Sequence, residues 1–484
     1  MLKLNRNEYI DKLHACWIGK NVGGTIGTPY ESTHELLDVK GFASKSGEPL
    51  PNDDLDLQLV WLAAMEQVGP ERLDTNALAN YWLDCIPPYW NEYGICKTNL
   101  RLGLLPPMSG EVDNDRWKTS NGAWIRSEIW AALAPGLPAV AVRYAVADAM
   151  VDHGISDGTQ AEIFTATLQS LAYVENNIPR LIEAALAAIP ADCLIARTVR
   201  LVMDCYDRGV DYRRARELVI ELNSELGWFQ APANIGFVVI GLLYGEGDFK
   251  KSVIYAVNCG DDTDCTAATV GATLGIIGGV SAIPEDWRDF VGDGIVTISI
   301  SGMYRHLIPK TCTELTERIA ALLPRVMSAN EVPFSFTDDL TELPANLAER
   351  FRSADASGML DRSPYSYDIT HYAHFDVRVE LNDTPRVGTG DVRRVRLTVR
   401  AHLGLWKTHK LELRLLLPEG WSCERYPRTL SLEYPQPWHD IEGEAAVEFS
   451  VTVGEKVEAV NRAYMEITSG CLAYPAVIPI TFIG

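Results

Sequence analysis

At 484 residues the chain is longer than one hydrophobic core usually supports, so more than one domain is expected. A hydrophobic fraction of 47% is that of a globular protein, and a formal net charge of -22 argues against nucleic acid or an anionic membrane as partner. With a pI near 4.9, an anionic substrate would have to be received by something positive, and bound divalent metal would serve.

The opening Met1-Leu2-Lys3-Leu4-Asn5 has no apolar signal core. The nearest approach to a membrane span, Ala267 to Ile283, is short, Gly-rich and preceded by Asp, and reads as a buried soluble helix. Ten cysteines without CxxC or CxxH spacing fit reduced thiols in a cytoplasmic protein rather than a disulfide framework or a zinc site.

Residues 5–28 read as one helix that Asn7 can cap, with Tyr9, Ile10, Leu13, Trp17 and Ile18 on one face. Gly19, Gly23 and Gly27 follow at four-residue spacing. Glycine costs helix stability, so the stripe serves either close helix approach or a ligand against the backbone. Thr28-Pro29-Tyr30 then ends the helix and leaves Glu31 on a loop. Asn52-Asp53-Asp54 opens a second helix with Leu55, Leu57, Leu59 and Val60. Residues 86–120 look irregular and aromatic, and Pro87 to Tyr93 reads either as a sugar-stacking platform or as a loop pinned to the core. Asn121 to Glu128 leads into a helix whose free first-turn N–H groups, with Arg126, make a cradle for phosphate or sugar. His153 lies between two helical stretches. Helical spacing continues to about residue 245, and no strand-like alternation of note precedes residue 330.

The stretch Asn258-Cys259-Gly260-Asp261-Asp262-Thr263-Asp264-Cys265-Thr266 puts three acids ahead of the small-residue helix. Acids there are ordinary helix caps, favoured by the dipole. Yet two acidic caps facing each other inside the protein would repel unless a hard cation such as Mg2+ or Mn2+ lay between them. Residues 331–368 read as a linker with a short helix over Leu343–Ser353. From about 370 the period becomes two, as in Phe375 to Leu381, Val392 to Val399 and Ala446 to Val451, which predicts a small β-sandwich over 369–484. It carries no acid/His constellation and reads as accessory, for support, for assembly of a homo-oligomer or for ligand presentation.

With these pieces assembled, residues 5–300 resemble the ADP-ribosylglycohydrolase family. Gly23 to Glu31 is similar to its Gly-rich helix end and gating glutamate, and Asn52-Asp53-Asp54-Leu55 to its Thr-Asp-Asp-Thr. Asn121 to Arg126 is similar to its Asn-Gly-Ala-Met-Arg, and Gly260 to Cys265 to its Gly-Gly-Asp-Thr-Asp-Thr. The resemblance implies an all-α hydrolase domain over 1–330, followed by the β-sandwich that it does not cover. It implies two Mg2+ (or Mn2+) ions held by Asp53, Asp54, Asp262 and Asp264, with Asn52 and Cys265 at further ligand positions and Thr266 as a substitute for that thiol. Glu31, Asp53 and Asp54 become the acid/base candidates, and Asn121, Gly122 and His153 would lie along the substrate. Gly27, Trp124, Arg126, Asn258 and Gly260 complete the expected binding set.

The function implied is hydrolysis of a glycosidic bond, releasing ADP-ribose or a related ribosyl group from a small or protein acceptor. A glycosidase acting on another furanosyl sugar is the alternative, supported by the aromatic loop, Trp124 and the sandwich. A non-catalytic relative, of the kind found in a lens crystallin, is the third reading, and retention of all four metal-position acids argues against it.

Overall fold

The structure is a computed structural model that describes residues 1–44, 47–347, 357–370, 372, 374–402, 407–436, 441–470 and 472–484. Its chain divides into two compact units, Met1–Ile95 with Asn114–Leu360, and Cys96–Asp113 with Asp361–Gly484.

The first unit is helical. In chain order the helices begin with α1 (Arg6–Gly27), α2 (Asp53–Val68), α3 (Thr75–Cys85), α4 (Asn91–Leu102, whose later turns belong to the second unit), α5 (Met108–Glu111, in the second unit), α6 (Glu128–Ala132), α7 (Pro138–Asp152) and α8 (Asp157–Ala172). They are followed by α9 (Ile178–Leu186), α10 (Leu194–Asp207), α11 (Tyr212–Asn223), α12 (Ala231–Tyr244), α13 (Phe249–Asn258), α14 (Thr263–Gly278), α15 (Glu285–Val291) and α16 (Cys312–Ala329). Among the described residues no helix is long and apolar enough to cross a membrane.

The central packing is α1 against α14. A Cβ on Gly19 would strike the backbone of Gly271, one on Gly23 that of Ala267, and one on Gly27 that of Thr263 and Asp264. The glycine stripe therefore serves close helix approach, the first of the two readings open in the sequence. It brings the end of α1 onto the acidic start of α14, where the Thr263 hydroxyl donates to Gly27 O at 2.8 Å.

The structure also differs from expectation at several places. The cap of α1 is Asn5, whose side chain accepts from Glu8 N at 2.9 Å, rather than Asn7. Before it, β1 (Leu2–Asn5) pairs in parallel with β2 (Phe334–Thr337), with Leu2 opposite Phe334. A four-residue strand whose partner lies 332 positions away has no local signature. Residues 91–102, expected to be irregular, form α4. Of the helix expected at Leu343–Ser353, positions 348–353 lie outside the described residues.

The second unit is a sandwich of two antiparallel sheets. One has the order β10-β9-β6-β7 and the other β3-β4-β5-β8, with β3 (Ser366–Ile369), β4 (Phe375–Leu381), β5 (Val392–Ala401), β6 (His409–Leu416), β7 (Thr429–Leu432), β8 (Glu444–Thr452), β9 (Val460–Thr468) and β10 (Ala476–Ile483). Alternation gives each strand one apolar face, as along β4, where Phe375, Val377, Val379 and Leu381 are buried and the residues between them are not. Leu104, Met108 and Val112, from far upstream, share this core.

Candidate functional site

The site lies in the helical unit, where the first turns of α2 and α14 meet. Asn52 caps α2, its Oδ1 accepting from Asp54 N at 2.8 Å, and this aims Asp53 and Asp54 from one turn. Asp262 is the cap residue of α14 and Asp264 stands in its first turn. The two clusters touch directly, because the Cys265 thiol donates to Asp54 Oδ1 at 3.0 Å. Asp262 Oδ2 accepts from Asn121 Nδ2 at 2.7 Å, and the Trp124 indole N–H fixes Asn121 Oδ1 at 3.1 Å. These groups wall a cavity of about 420 Å³ that Glu31, Asp53, Asn121, Gly122, Asp262, Asp264 and Cys265 line.

The loop carrying Glu31 is held by Asp261. Ser32 N donates to Asp261 O at 2.9 Å and Asp261 N to Thr33 O at 2.7 Å. The Asp261 carboxylate in turn accepts from Phe229 N at 3.0 Å and from Asn234 Nδ2 at 2.8 Å. Asp261 sits at φ 67°, a left-handed conformation uncommon outside glycine, which turns the chain between Gly260 and α14. Of three neighbouring acids, then, the first is a fastener and the other two face the cavity.

The electrostatics is that of crowded acids. Burial, then the Asp264 and Asp56 charges, push the Asp53 carboxyl up to about 7. Partial desolvation, then Asp264, raise Glu31 to about 7 although its side chain still reaches solvent. Burial raises Asp54 well above the carboxylate range, opposed by Lys20 and reinforced by Asp264 and Asp53. Asp262 is raised likewise, by burial and then by Asp264. Burial, with Asp262 and Asp54 next, lifts the Cys265 thiol too, so it is a neutral donor here.

Two buried oxygens, Asp54 Oδ2 and Asp264 Oδ1, have no hydrogen-bond partner. One ligand atom each from Asp262, Asp264 and Cys265 lie within 4.8 Å of one another. Unpaired buried carboxylate oxygens are costly, and a hard divalent cation is the partner that oxygen-rich sets of this size accept. The residues present therefore fit a metal ion. Thr266 does not share the cluster, since its hydroxyl donates to Thr263 O at 3.3 Å and it is fully buried. Asn52 Oδ1 is engaged in its cap.

Several expected binding residues stand behind the cavity wall instead. Arg126 is fully buried. Its guanidinium pairs with Asp152 through Nη2–Oδ1 at 2.8 Å, with Asp148 through Nη2–Oδ1 at 2.9 Å, and donates to Gly122 O. Two carboxylates and a carbonyl leave it nothing for a phosphate, so the cradle reading of Arg126 is overturned. Burial pushes the Asp152 carboxyl up, but the Arg126 and His153 charges more than offset this and hold it at about 2. His153 is likewise buried, with Nδ1 3.0 Å from Asp152 and Nε2 3.3 Å from Ser120 Oγ. Trp124 has no exposed surface and acts by holding Asn121. Asn258 pins the 37–39 segment, accepting from Val39 N at 2.7 Å, and Gly260 passes so close to Thr33 O and Glu35 O that a Cβ would not fit. Gly27 is filled by α14, as described.

Other residues at the cavity, the aromatic loop apart, carried no sequence signal of a site. Asp56 Oδ2 accepts from Ile298 N at 2.7 Å and Ser299 N at 2.6 Å, which sets Ile298 at the rim. Phe229 also lines the wall. From the aromatic loop, Trp90, Glu92 and Tyr93 line it, and the Tyr93 hydroxyl lies 3.5 Å from Asp53 Oδ2. Beneath the acids, Lys20 Nζ is paired with Glu128 Oε1 at 3.1 Å and donates to Ile125 O at 2.7 Å.

Comparison with known proteins agrees with this layout for the helical part. The family model for ADP-ribosylglycohydrolase matches residues 5–325. An uncharacterized protein of Archaeoglobus fulgidus is 28% identical over 152 residues, which are 31% of this chain and 46% of that protein, so the match spans about half of the relative's length. Among solved structures, the FixG-related protein from Vibrio parahaemolyticus is 12% identical, covering 25% of this chain and 95% of its own at a TM-score of 0.18. The cupredoxin domain of amoB from Nitrosocaldus yellowstonii is 10% identical, covering 22% and 85%, at a TM-score of 0.16. Likenesses that slight carry neither fold nor function. With two thirds of its length matched by the family model, the chain belongs to the ADP-ribosylglycohydrolase family.

Proposed function

We propose that the protein is a metal-dependent hydrolase of the glycosidic bond at the anomeric carbon of a ribosyl or related furanosyl group. The observation that carries this reading is the meeting of Asp53, Asp262 and Asp264 at one cavity, with Asp54 buried behind its wall on Cys265 and unpaired oxygens on Asp54 and Asp264. These four carboxylates would hold the metal, two Mg2+ ions or Mn2+ in their place. Bound divalent ions supply positive charge that orients sugar hydroxyls and polarises a water.

The chain's own groups do the rest. Glu31, at the cavity and raised to about 7, is poised near neutrality to give a proton to the leaving oxygen or take one from water. Asn121 is fixed at both ends of its amide, so the wall beside Asp262 is rigid when substrate arrives. Asp261 keeps the Glu31 loop against α14. The partner is then a small glycoside or a glycosylated or ADP-ribosylated acceptor.

Two donors satisfy this reading, an ADP-ribosyl conjugate and an uncharged furanoside. The first is supported by the family's name and the second by the aromatic rim at Trp90. The test is hydrolysis of ADP-ribosyl-arginine, ADP-ribosyl-serine and aryl furanosides with Mg2+, with Mn2+ and with chelator. Metal-dependent turnover of at least one substrate is expected, and Asp53→Asn should abolish it together with any metal-dependent thermal shift. No turnover on any of them, or an unchanged thermal shift in Asp53→Asn, would overturn the reading.

A further inference from the structure

The cavity has its polar and apolar residues in the reverse of their ordinary places. Its buried lining is largely polar, with Glu92, Ser120, Asn121, Asp262 and Asp264 out of solvent. Among the described residues, its exposed lining consists of Glu31, Pro51, Trp90, Asn91 and Ile298, three of them apolar. Ile298 is 56% and Trp90 45% exposed, and Val296, two positions before Ile298, is exposed too. Apolar surface of this kind, continuous with a polar pocket, marks the place of an apolar part of a ligand.

Neither Ile298 nor Trp90 stands at the rim through looseness of a loop. One oxygen of the buried Asp56, Oδ2, accepts from Ile298 N at 2.7 Å, Ser299 N at 2.6 Å and Ser299 Oγ at 3.0 Å, and so fixes the segment. The Trp90 ring leans on Tyr93, with centroids 6.0 Å apart, and the Tyr93 hydroxyl lies 3.5 Å from Asp53 Oδ2. Both rim side chains are thus tied, through one residue each, to the first turn of α2, which also presents Asp53 and Asp54. Depth gives the substrate its direction. The metal-position carboxylates Asp54, Asp262 and Asp264 are buried, so the sugar they would hold lies at the floor. Glu31 reaches solvent, so the bond it would act on faces outward, and the group beyond that bond comes to the mouth.

Resting on the proposed glycosidic hydrolysis, we propose that the mouth is an acceptor subsite for an uncharged aromatic group carried on the scissile bond, with Trp90 and Ile298 as its specificity-determining residues. Trp90 offers an open face for stacking, Ile298 an aliphatic ledge, and Pro51 further apolar surface. Glu31 is the single charged group among the exposed lining residues, and in the proposed hydrolysis it is occupied with the proton. The subsite concerns the group that leaves, and is indifferent to whether an ADP-ribosyl or a furanosyl donor fills the floor.

The test is calorimetric titration of the full-length protein, saturated with Mg2+, with two matched pairs of thioglycosides, which resist hydrolysis. One pair is phenyl and methyl thioribofuranoside, and the other the phenyl and methyl thioglycosides of the distal ribose of ADP-ribose. The corresponding oxygen glycosides are assayed for hydrolysis. In at least one pair the phenyl member is expected to bind about tenfold more tightly than the methyl member. Trp90→Ala and Ile298→Ser should each reduce that preference about threefold or more. The Mg2+-dependent thermal shift should persist in both, which shows that they are folded and metal-competent. Phenyl members bound no tighter than methyl members, no binding in either pair, or a preference unaltered in both variants would overturn the inference. So would sedimentation showing that the parent self-associates and the variants do not, which would give the rim to a second copy of the chain. A phenyl preference with no hydrolysis of any oxygen glycoside would count against the hydrolytic reading and leave the subsite standing.

Discussion

The Cys265 thiol reaches Asp54 Oδ1 at 3.0 Å, joining the first turns of two helices that lie 211 residues apart in the chain. A thiol in that place is a soft neighbour for a hard cation, and this bears on which metal the site prefers. Cys265→Ser keeps the shape of the side chain and offers a hard oxygen. It is expected to raise Mg2+ affinity several-fold and to narrow any preference for Mn2+. Titration calorimetry with both ions checks this, and an unchanged ratio of the two affinities would show that the thiol lies outside the coordination sphere.

Without metal, the acids should make stability fall as pH rises. Asp53 titrates near 7 in the fold against an ordinary value of 3.8, so between those values the folded chain binds more protons than the unfolded one. That contribution is full below about 4 and is lost as pH climbs through 7. Asp152 runs the other way, but only at the acid end, because its folded value is about 2. Thermal melts in chelator from pH 5 to 8 should therefore decline from this source. Added Mg2+ should stabilise more at pH 8 than at pH 5, since only deprotonated carboxylates bind it. A metal-induced shift that did not grow with pH would contradict this.

Arg126 should matter for stability rather than for substrate charge. Arg126→Met leaves Asp148 and Asp152 buried without their cation, and removal of one partner from such a cluster costs about 3–5 kcal/mol. Urea denaturation measures this. A variant as stable as the parent, with only KM altered, would restore the anion-cradle reading.

The α1–α14 crossing predicts a further cost. Gly23→Ala drives a Cβ into the Ala267 carbonyl, and forced separation of packed backbones costs about 1–3 kcal/mol. Because α14 carries Asp264, the Mg2+-dependent thermal shift should shrink as well. Gly302→Ala, where an added Cβ meets nothing within 4 Å, is the control and should stay within about 0.5 kcal/mol of the parent.

What could be read from the sequence was what has a local cause. The strands at 375–381 and 444–452 announce themselves by alternation, and the acidic caps by standing just ahead of apolar helices. The glycine stripe could be read as a need for closeness, though not toward what. The partners of Arg126 lie 22 and 26 positions downstream on another helix, where no spacing rule connects them, so the residue looked free when it was saturated. Glu92 lay inside a stretch noticed for its aromatics, but a single acid on an irregular segment gives no sign that it will be buried at a cavity. The four residues of β1 were invisible for the same reason, their meaning residing in a partner more than three hundred residues away.

Leu104, Met108 and Val112 pack into the core of the β-sandwich although they belong to the early part of the chain. No single cut, in consequence, would yield the helical unit alone. A protein shortened after Leu360 would retain those three apolar side chains with nothing to cover them, and is expected to clump. Anyone wishing to trim this protein would have to replace residues 96–113 as well.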